Sequence, residues 1–183
     1  MGGQYHQAHA SCEMLDVKEG KWVPLPDMNI ARSCYPASIA CEHEGHHRIF
    51  VFGGADQSAA NPLNTAEFVD VGEGVDVSQT KWTLVEAKMA QPLCFFACAL
   101  LDYKTIVLCG GYTNLQRVAA ATASSESFDI STLAFSSFPD LIEPRSCHAA
   151  TSYMGTMVAL GGQDKNSCEQ FDAGANKWIP FPP

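Results

Sequence analysis

The run Met157-Val158-Ala159-Leu160-Gly161-Gly162 is followed by Glu169-Gln170-Phe171-Asp172 and then by Lys177-Trp178. The first piece is a short apolar run of strand length, ended by two glycines that permit a sharp turn at positive φ. The second sets an apolar residue beside an acid, the pattern of a half-buried strand. The same marks recur toward the N-terminus. Double glycines stand at Gly2-Gly3, Gly53-Gly54, Gly110-Gly111 and Gly161-Gly162, separated by 51, 57 and 51 residues. Apolar runs at Ile49–Phe52 and Thr105–Cys109 precede two of them. The acidic signature recurs as Glu13-Met14-Leu15-Asp16, Glu67-Phe68-Val69-Asp70 and Glu126-Ser127-Phe128-Asp129. Trp22, Trp82 and Trp178 each follow a lysine, and Phe135 takes that place in the third unit. The second unit carries a six-residue insertion within residues 71–80.

A fourth mark opens each new unit. It reads Ala31-Arg32-Ser33-Cys34, Gln91-Pro92-Leu93-Cys94 and Pro144-Arg145-Ser146-Cys147, with Ala37, Ala97 and Ala150 three residues beyond each cysteine. Small residues there predict a closely packed strand. Each complete unit therefore predicts four strands. No amphipathic helix is evident, although the alanine-rich 118–124 stretch is helix-tolerant. A period near 50 residues is the signature of stacked or radially arranged units, each burying its faces against its neighbours.

Together these marks resemble the kelch repeat, a β-propeller blade of about 50 residues. The resemblance covers nearly the whole chain. Phe128-Asp129 and Phe171-Asp172 match the aromatic–acid pair of kelch units better than Leu15-Asp16 and Val69-Asp70, and Phe135 departs from the tryptophan rule. The implied fold is all-β: a kelch-type β-propeller of about three and a half four-stranded blades, partial or open. Residues 1–28 hold the outer two strands of one blade, and 29–88, 89–142 and 143–183 form whole blades. The structural marks are Gly53, Gly54, Gly110, Gly111, Gly161, Gly162, Glu13, Glu67, Glu126, Glu169, Trp22, Trp82 and Trp178. The glutamates and aspartates are expected to bind backbone amides and Arg or Lys across the blade seams, since buried acids need partners. Closed propellers use roughly 4–8 blades. The expectation is that Met1 was originally internal and that the chain is a segment of a longer propeller. An open arc, or closure by self-association through exposed blade edges, are the alternatives.

Composition narrows the function. The chain has 183 residues, 46% hydrophobic and 17% charged, with a net charge of −9. An acidic surface disfavours nucleic acid and anionic membranes as partners. No apolar run approaches the roughly 20 residues of a membrane span. Met1–Ala10 is polar, without the apolar core of a signal peptide, and His6 stands where myristoylation wants Ser or Thr. A cytoplasmic location is expected. The eight cysteines form no CxxC pair, and free thiols are expected.

Candidate chemistry is sparse. Cys34, Cys94 and Cys147 share one repeat position; a ring of thiols near a propeller axis is a soft-metal or redox candidate, but buried small hydrophobes are the better reading. His43, His46 and His47 sit in a predicted hairpin turn, where a solvated turn is the better reading than a metal site. No metal, cofactor or catalytic residue is assigned. Tyr5, Tyr35, Tyr103, Tyr112 and Tyr153 suggest no copper-oxidase constellation, and no phosphate loop, dinucleotide fingerprint or Ser-His-Asp set appears.

The resemblance implies a non-catalytic protein–protein interaction module, a scaffold or a substrate-recognition fragment such as a ubiquitin-ligase adaptor. The rival class is a metal-dependent or sugar-acting kelch-like enzyme. The implied partner is another protein or peptide, docking on the loops after Gly-Gly and between blades. Candidate partner-binding residues are Arg32, Arg145, Tyr112, Asn114, Gln163 and Asp164. Arg32 and Arg145 sit where related modules place arginines for acidic peptides; bidentate pairing with a partner's carboxylate and capping of the blade edge against an internal acid both remain open.

Overall fold

The structure is a computed structural model that describes residues 7–56, 61–72, 75–76, 79–115 and 120–182. The Met1 and Gly2-Gly3 marks, Tyr5, His6 and parts of the 55–64, 71–80 and 112–124 loops lie outside the described residues. Among the described residues, fourteen β-strands form four antiparallel sheets. A two-stranded sheet pairs β1 (Cys12–Asp16) with β2 (Lys21–Leu25). Three four-stranded meanders follow in chain order. They are β3 (Ala37–His43), β4 (His46–Phe52), β5 (Ala66–Val71) and β6 (Thr83–Leu84); β7 (Ala97–Leu100), β8 (Thr105–Cys109), β9 (Ser125–Asp129) and β10 (Ala134–Phe138); and β11 (Ala149–Tyr153), β12 (Thr156–Leu160), β13 (Cys168–Asp172) and β14 (Lys177–Phe181). Segments of β3, β7 and β11 line one common groove, which makes the Cys/Ala strand the innermost of each blade. The two-stranded sheet is therefore an outer half-blade, and the described residues form three and a half blades of a β-propeller.

Register explains the marks. β13 and β14 pair so that Phe171 faces Trp178, as Phe128 faces Phe135 and Leu15 faces Trp22. The aspartate that ends the third strand closes the next hairpin. Asp129 Oδ1 accepts the amides of Ser131 (3.0 Å) and Thr132 (2.7 Å), and Asp16 and Asp172 cap their turns alike. Asp70 precedes the insertion and does something else. It takes Arg48 Nε at 2.6 Å and Nη2 at 3.0 Å, while that guanidinium lies 4.1 Å from the centre of the Phe68 ring.

The core lies in the seams. Alternate residues of one strand point to opposite faces. Phe50 and Phe52 therefore reach forward to Ile106, Leu108 and Phe128 of the second whole blade. Val51 reaches back with Val69, Val71 and Trp82 to Cys12 and Met28. Val107 and Cys109 meet Met157, Ala159, Phe171 and Trp178 at the last seam. Burial on both faces is why the second strands read as continuous apolar runs. Each such side chain contributes roughly 1.5–3 kcal/mol. Trp82 Nε1 donates to Pro26 O and Trp178 Nε1 to Pro139 O, both at 2.9 Å, so the tryptophan of one blade is fastened to the exit proline of the blade before. Trp22 has no such neighbour among the described residues and is 64% exposed, against 8% for Trp82 and 4% for Trp178.

Candidate functional site

Antiparallel meanders bring the described parts of the loops after Gly53-Gly54, Gly110-Gly111 and Gly161-Gly162 and the connections between blades to one side of the molecule. The blades approach closely there. A Cβ on Gly53 would stand 2.4 Å from Leu93 O, and one on Gly110 2.5 Å from Arg145 O. The next amides, of Gly54 and Gly111, donate to those same carbonyls at 2.9 and 2.7 Å. On Gly161 a Cβ would meet nothing closer than Lys165 O at 3.6 Å, because no blade follows it among the described residues. The double glycine is thus a mark of the seam as well as of the turn.

Arg32 and Arg145 are 5% and 1% exposed. Arg32 Nη2 and Nε contact Glu67 Oε1 at 2.9 and 3.3 Å, and its Nη1 donates to Gly53 O (2.7 Å) and Thr65 O (3.1 Å). Glu67 also accepts the amides of Asn29 and Ile30 and the Asn29 side-chain amide. Arg145 repeats the arrangement: Nε to Glu169 Oε1 at 2.8 Å and Nη1 to Gly161 O (2.8 Å) and Ser167 O (2.7 Å), while Glu169 accepts the amides of Ile142 and Glu143. Burial lowers the Arg32 pKa from its ordinary value, and its hydrogen bond to Glu67 opposes this. Of the two roles left open for these arginines, the geometry favours the internal one. Their guanidiniums are enclosed and satisfied by the chain's own glutamates and carbonyls, which is the edge-capping alternative.

Three of the other four candidates come together. Tyr112, Gln163 and Asp164 line an open groove of about 290 Å³ between the last two blades, with Pro144, Ser146 and Lys165. The Tyr112 hydroxyl donates to Gln163 Oε1 at 3.2 Å across the seam. Asn114 is exposed two residues beyond Tyr112 and does not line the groove. Two aromatics missed from the sequence extend this cluster. Phe95 lies 6.1 Å from the Tyr112 ring and 5.1 Å from that of Tyr35, which is 71% exposed. Both follow the repeat cysteine directly, so extending the fourth mark by one residue finds them. Their backbones sit at φ of 53° and 56°, the left-handed region that ordinary residues enter only under constraint.

The cysteine positions group loosely. Cys34 and Cys147 lie near enough to Cys94 to help raise its pKa, which burial chiefly pushes up to about 12. Among the described residues, no three His, Cys, Asp or Glu side chains are placed to hold a metal ion. His43 and His46 flank the β3–β4 turn, where Glu44 and Gly45 adopt positive φ. Cys109 Sγ is 3.5 Å from His148 Nε2, but burial drives the thiol up and the imidazole down to about 4. Nucleophilic catalysis needs the opposite shifts.

These features define the class: blades of an antiparallel β-propeller, fastened at each seam by glycine, glutamate and an aromatic. The comparisons show what the chain is similar to. The Kelch motif family model matches residues 1–29. Kelch-like protein 41a of Danio rerio is 26% identical over 172 residues, covering 91% of this chain and 26% of that protein. The chain thus spans about a quarter of the length of the curated relative it matches. Fold, repeat marks and both comparisons show a likeness to kelch-repeat proteins, which supports a protein-interaction module.

Proposed function

We propose that this chain is a non-catalytic interaction module that binds a protein or peptide on its loop face between the last two blades. The observation carrying this reading is the aromatic and amide row Tyr35–Phe95–Tyr112–Gln163, half-exposed beside an open groove. Exposed aromatics with adjacent hydrogen-bonding groups are the chemistry of interface hot spots. Differing loop lengths between blades give that face an individual shape. A substrate receptor for ubiquitin ligation and a scaffold are the roles this chemistry serves.

The test is affinity capture compared between the wild type and a Tyr112→Ala/Gln163→Ala variant of unchanged melting temperature. Loss of a wild-type partner by tenfold or more supports the reading; retention of every partner overturns it. A second contact is self-association through the half-blade face, where Leu15, Val17 and Trp22 are 44%, 84% and 64% exposed. The solution mass tests it: an oligomer dispersed by Trp22→Glu supports the contact, and a monomer at all concentrations rejects it.

A further inference from the structure

The middle seam repeats the arginine–glutamate arrangement with the arginine missing. Pro92 stands where Arg32 and Arg145 stand in the neighbouring units, and Phe135 where they have Trp82 and Trp178. Glu126 remains and is only 7% exposed. Its one hydrogen bond among the described residues comes from the Ala90 amide, 3.1 Å from Oε2. The Met89 amide, equivalent to those of Asn29 and Ile142, donates to Asn64 O instead. Gly110 O and Ser124 O occupy the places of the two carbonyls that hold each arginine Nη1, and neither receives a side-chain donor among the described residues. Gln91 reaches only as far as the Ser124 hydroxyl, at 2.6 Å.

The omission leaves space. A pocket of about 300 Å³ opens at this seam, lined by Glu126, Ser124, Ser125, Gln91, Leu93 and Phe135 among others. The Ser125 hydroxyl is buried with no partner. Lys88 stands exposed on the rim and makes no ion pair with Glu126. A largely buried carboxylate with one oxygen unbonded among the described residues, beside the two carbonyls that correspond to those holding Arg32 and Arg145, is an acceptor set without its donor. A planar five-donor cation matches such a set best, since it pairs with the carboxylate and donates to neighbouring carbonyls at once.

We infer that the seam pocket at Glu126 binds a guanidinium group from outside the fold, in the place that Arg32 and Arg145 fill from within. The aromatic edge of Phe135 and the rim of Ala90 and Leu93 accommodate the alkyl stem. The inference does not rest on the interaction groove at Tyr112, which lies at the last seam.

The probe is propylguanidinium, followed by amide NMR shifts of Ala90, Ser125 and Glu126, with propylammonium as control. Saturable shifts at these amides, at least tenfold weaker with the ammonium and lost in Glu126→Gln, are expected. Pro92→Arg supplies the missing group in cis; it is expected to abolish binding and to raise the melting temperature. No saturable shift in the wild type, or equal binding by Glu126→Gln, overturns the inference even if Pro92→Arg fails to fold. A second arm distinguishes the source. If an arginine held within a glycine peptide shifts the same amides, the pocket receives arginine from a polypeptide; if only the free probe does, it receives a small guanidinium solute.

Discussion

The last seam and the middle seam are built on the same glutamate with different surroundings. Glu169 is held by Arg145 and the amides of Ile142 and Glu143, so its charge is compensated on every side. Glu126 keeps one amide, and burial raises its pKa against that single opposing bond. One repeat position, changed from arginine to Pro92, thus turns a structural ion pair into an open acceptor. The lesson concerns repeats generally: a mark kept where its partner has gone shows where a fold has a site to spare.

Four changes break or sharpen this comparison. The largest effect is expected from Arg145→Met, which strands Glu169 in the interior; removing one partner of a buried pair costs roughly 3–5 kcal/mol. Pro92→Met at the middle seam has no pair to break, and denaturant melts of the two variants give the contrast. Next comes Gly110→Ala, whose Cβ would collide with Arg145 O at 2.5 Å and which also sits at φ 70°. It should cost about 1–3 kcal/mol more than Gly161→Ala, where only the backbone penalty applies.

Smaller is Trp178→Phe, which copies Phe135 into the last seam. Losing the bond to Pro139 O should cost about 1 kcal/mol, and Trp22→Phe, on the exposed half-blade, should cost nothing measurable in the same thermal scans.

The smallest effect is on pH dependence. The hydrogen bond from Arg48 holds Asp70 below its ordinary value, so its stabilisation is present above about pH 4 and is lost as pH falls further. Glu126 is raised, so its sign is opposite: the fold is favoured below the usual glutamate value of about 4.3 and loses that contribution as pH rises through the elevated pKa. Asp70→Asn should flatten the acid limb of the stability curve and Glu126→Gln the limb above it, as read by urea midpoints from pH 3 to pH 8.

The blade was legible in the sequence because its marks are local. Glycine turns, strand alternation and the acid that caps a hairpin each depend on residues within a few positions, and all recur in register. The half-blade was legible for the same reason, from the two strand signals of the first unit. The roles of Arg32 and Arg145 were not, because whether an arginine faces a partner or an internal acid depends on a carboxylate 35 or 24 residues away. The fourth-strand tryptophan was visible as a residue but not as a fastener, since its acceptor is the exit proline of another blade. Phe95 and Tyr35 were not among the binding candidates because the fourth mark was read only as far as its cysteine, one residue short of them. The vacancy at Glu126 was half visible: Pro92 was plainly the exception among the opening marks, but the space it leaves is a property of packing.

The most direct test sets Glu169→Gln beside Glu126→Gln in thermal unfolding at pH 7. The account predicts that Glu169→Gln strands a buried arginine, costs roughly 3 kcal/mol and lowers the melting temperature by about 6–12 °C, while Glu126→Gln leaves it unchanged or raises it. Equal losses at the two positions would contradict the claim that the middle seam holds an unpaired acid.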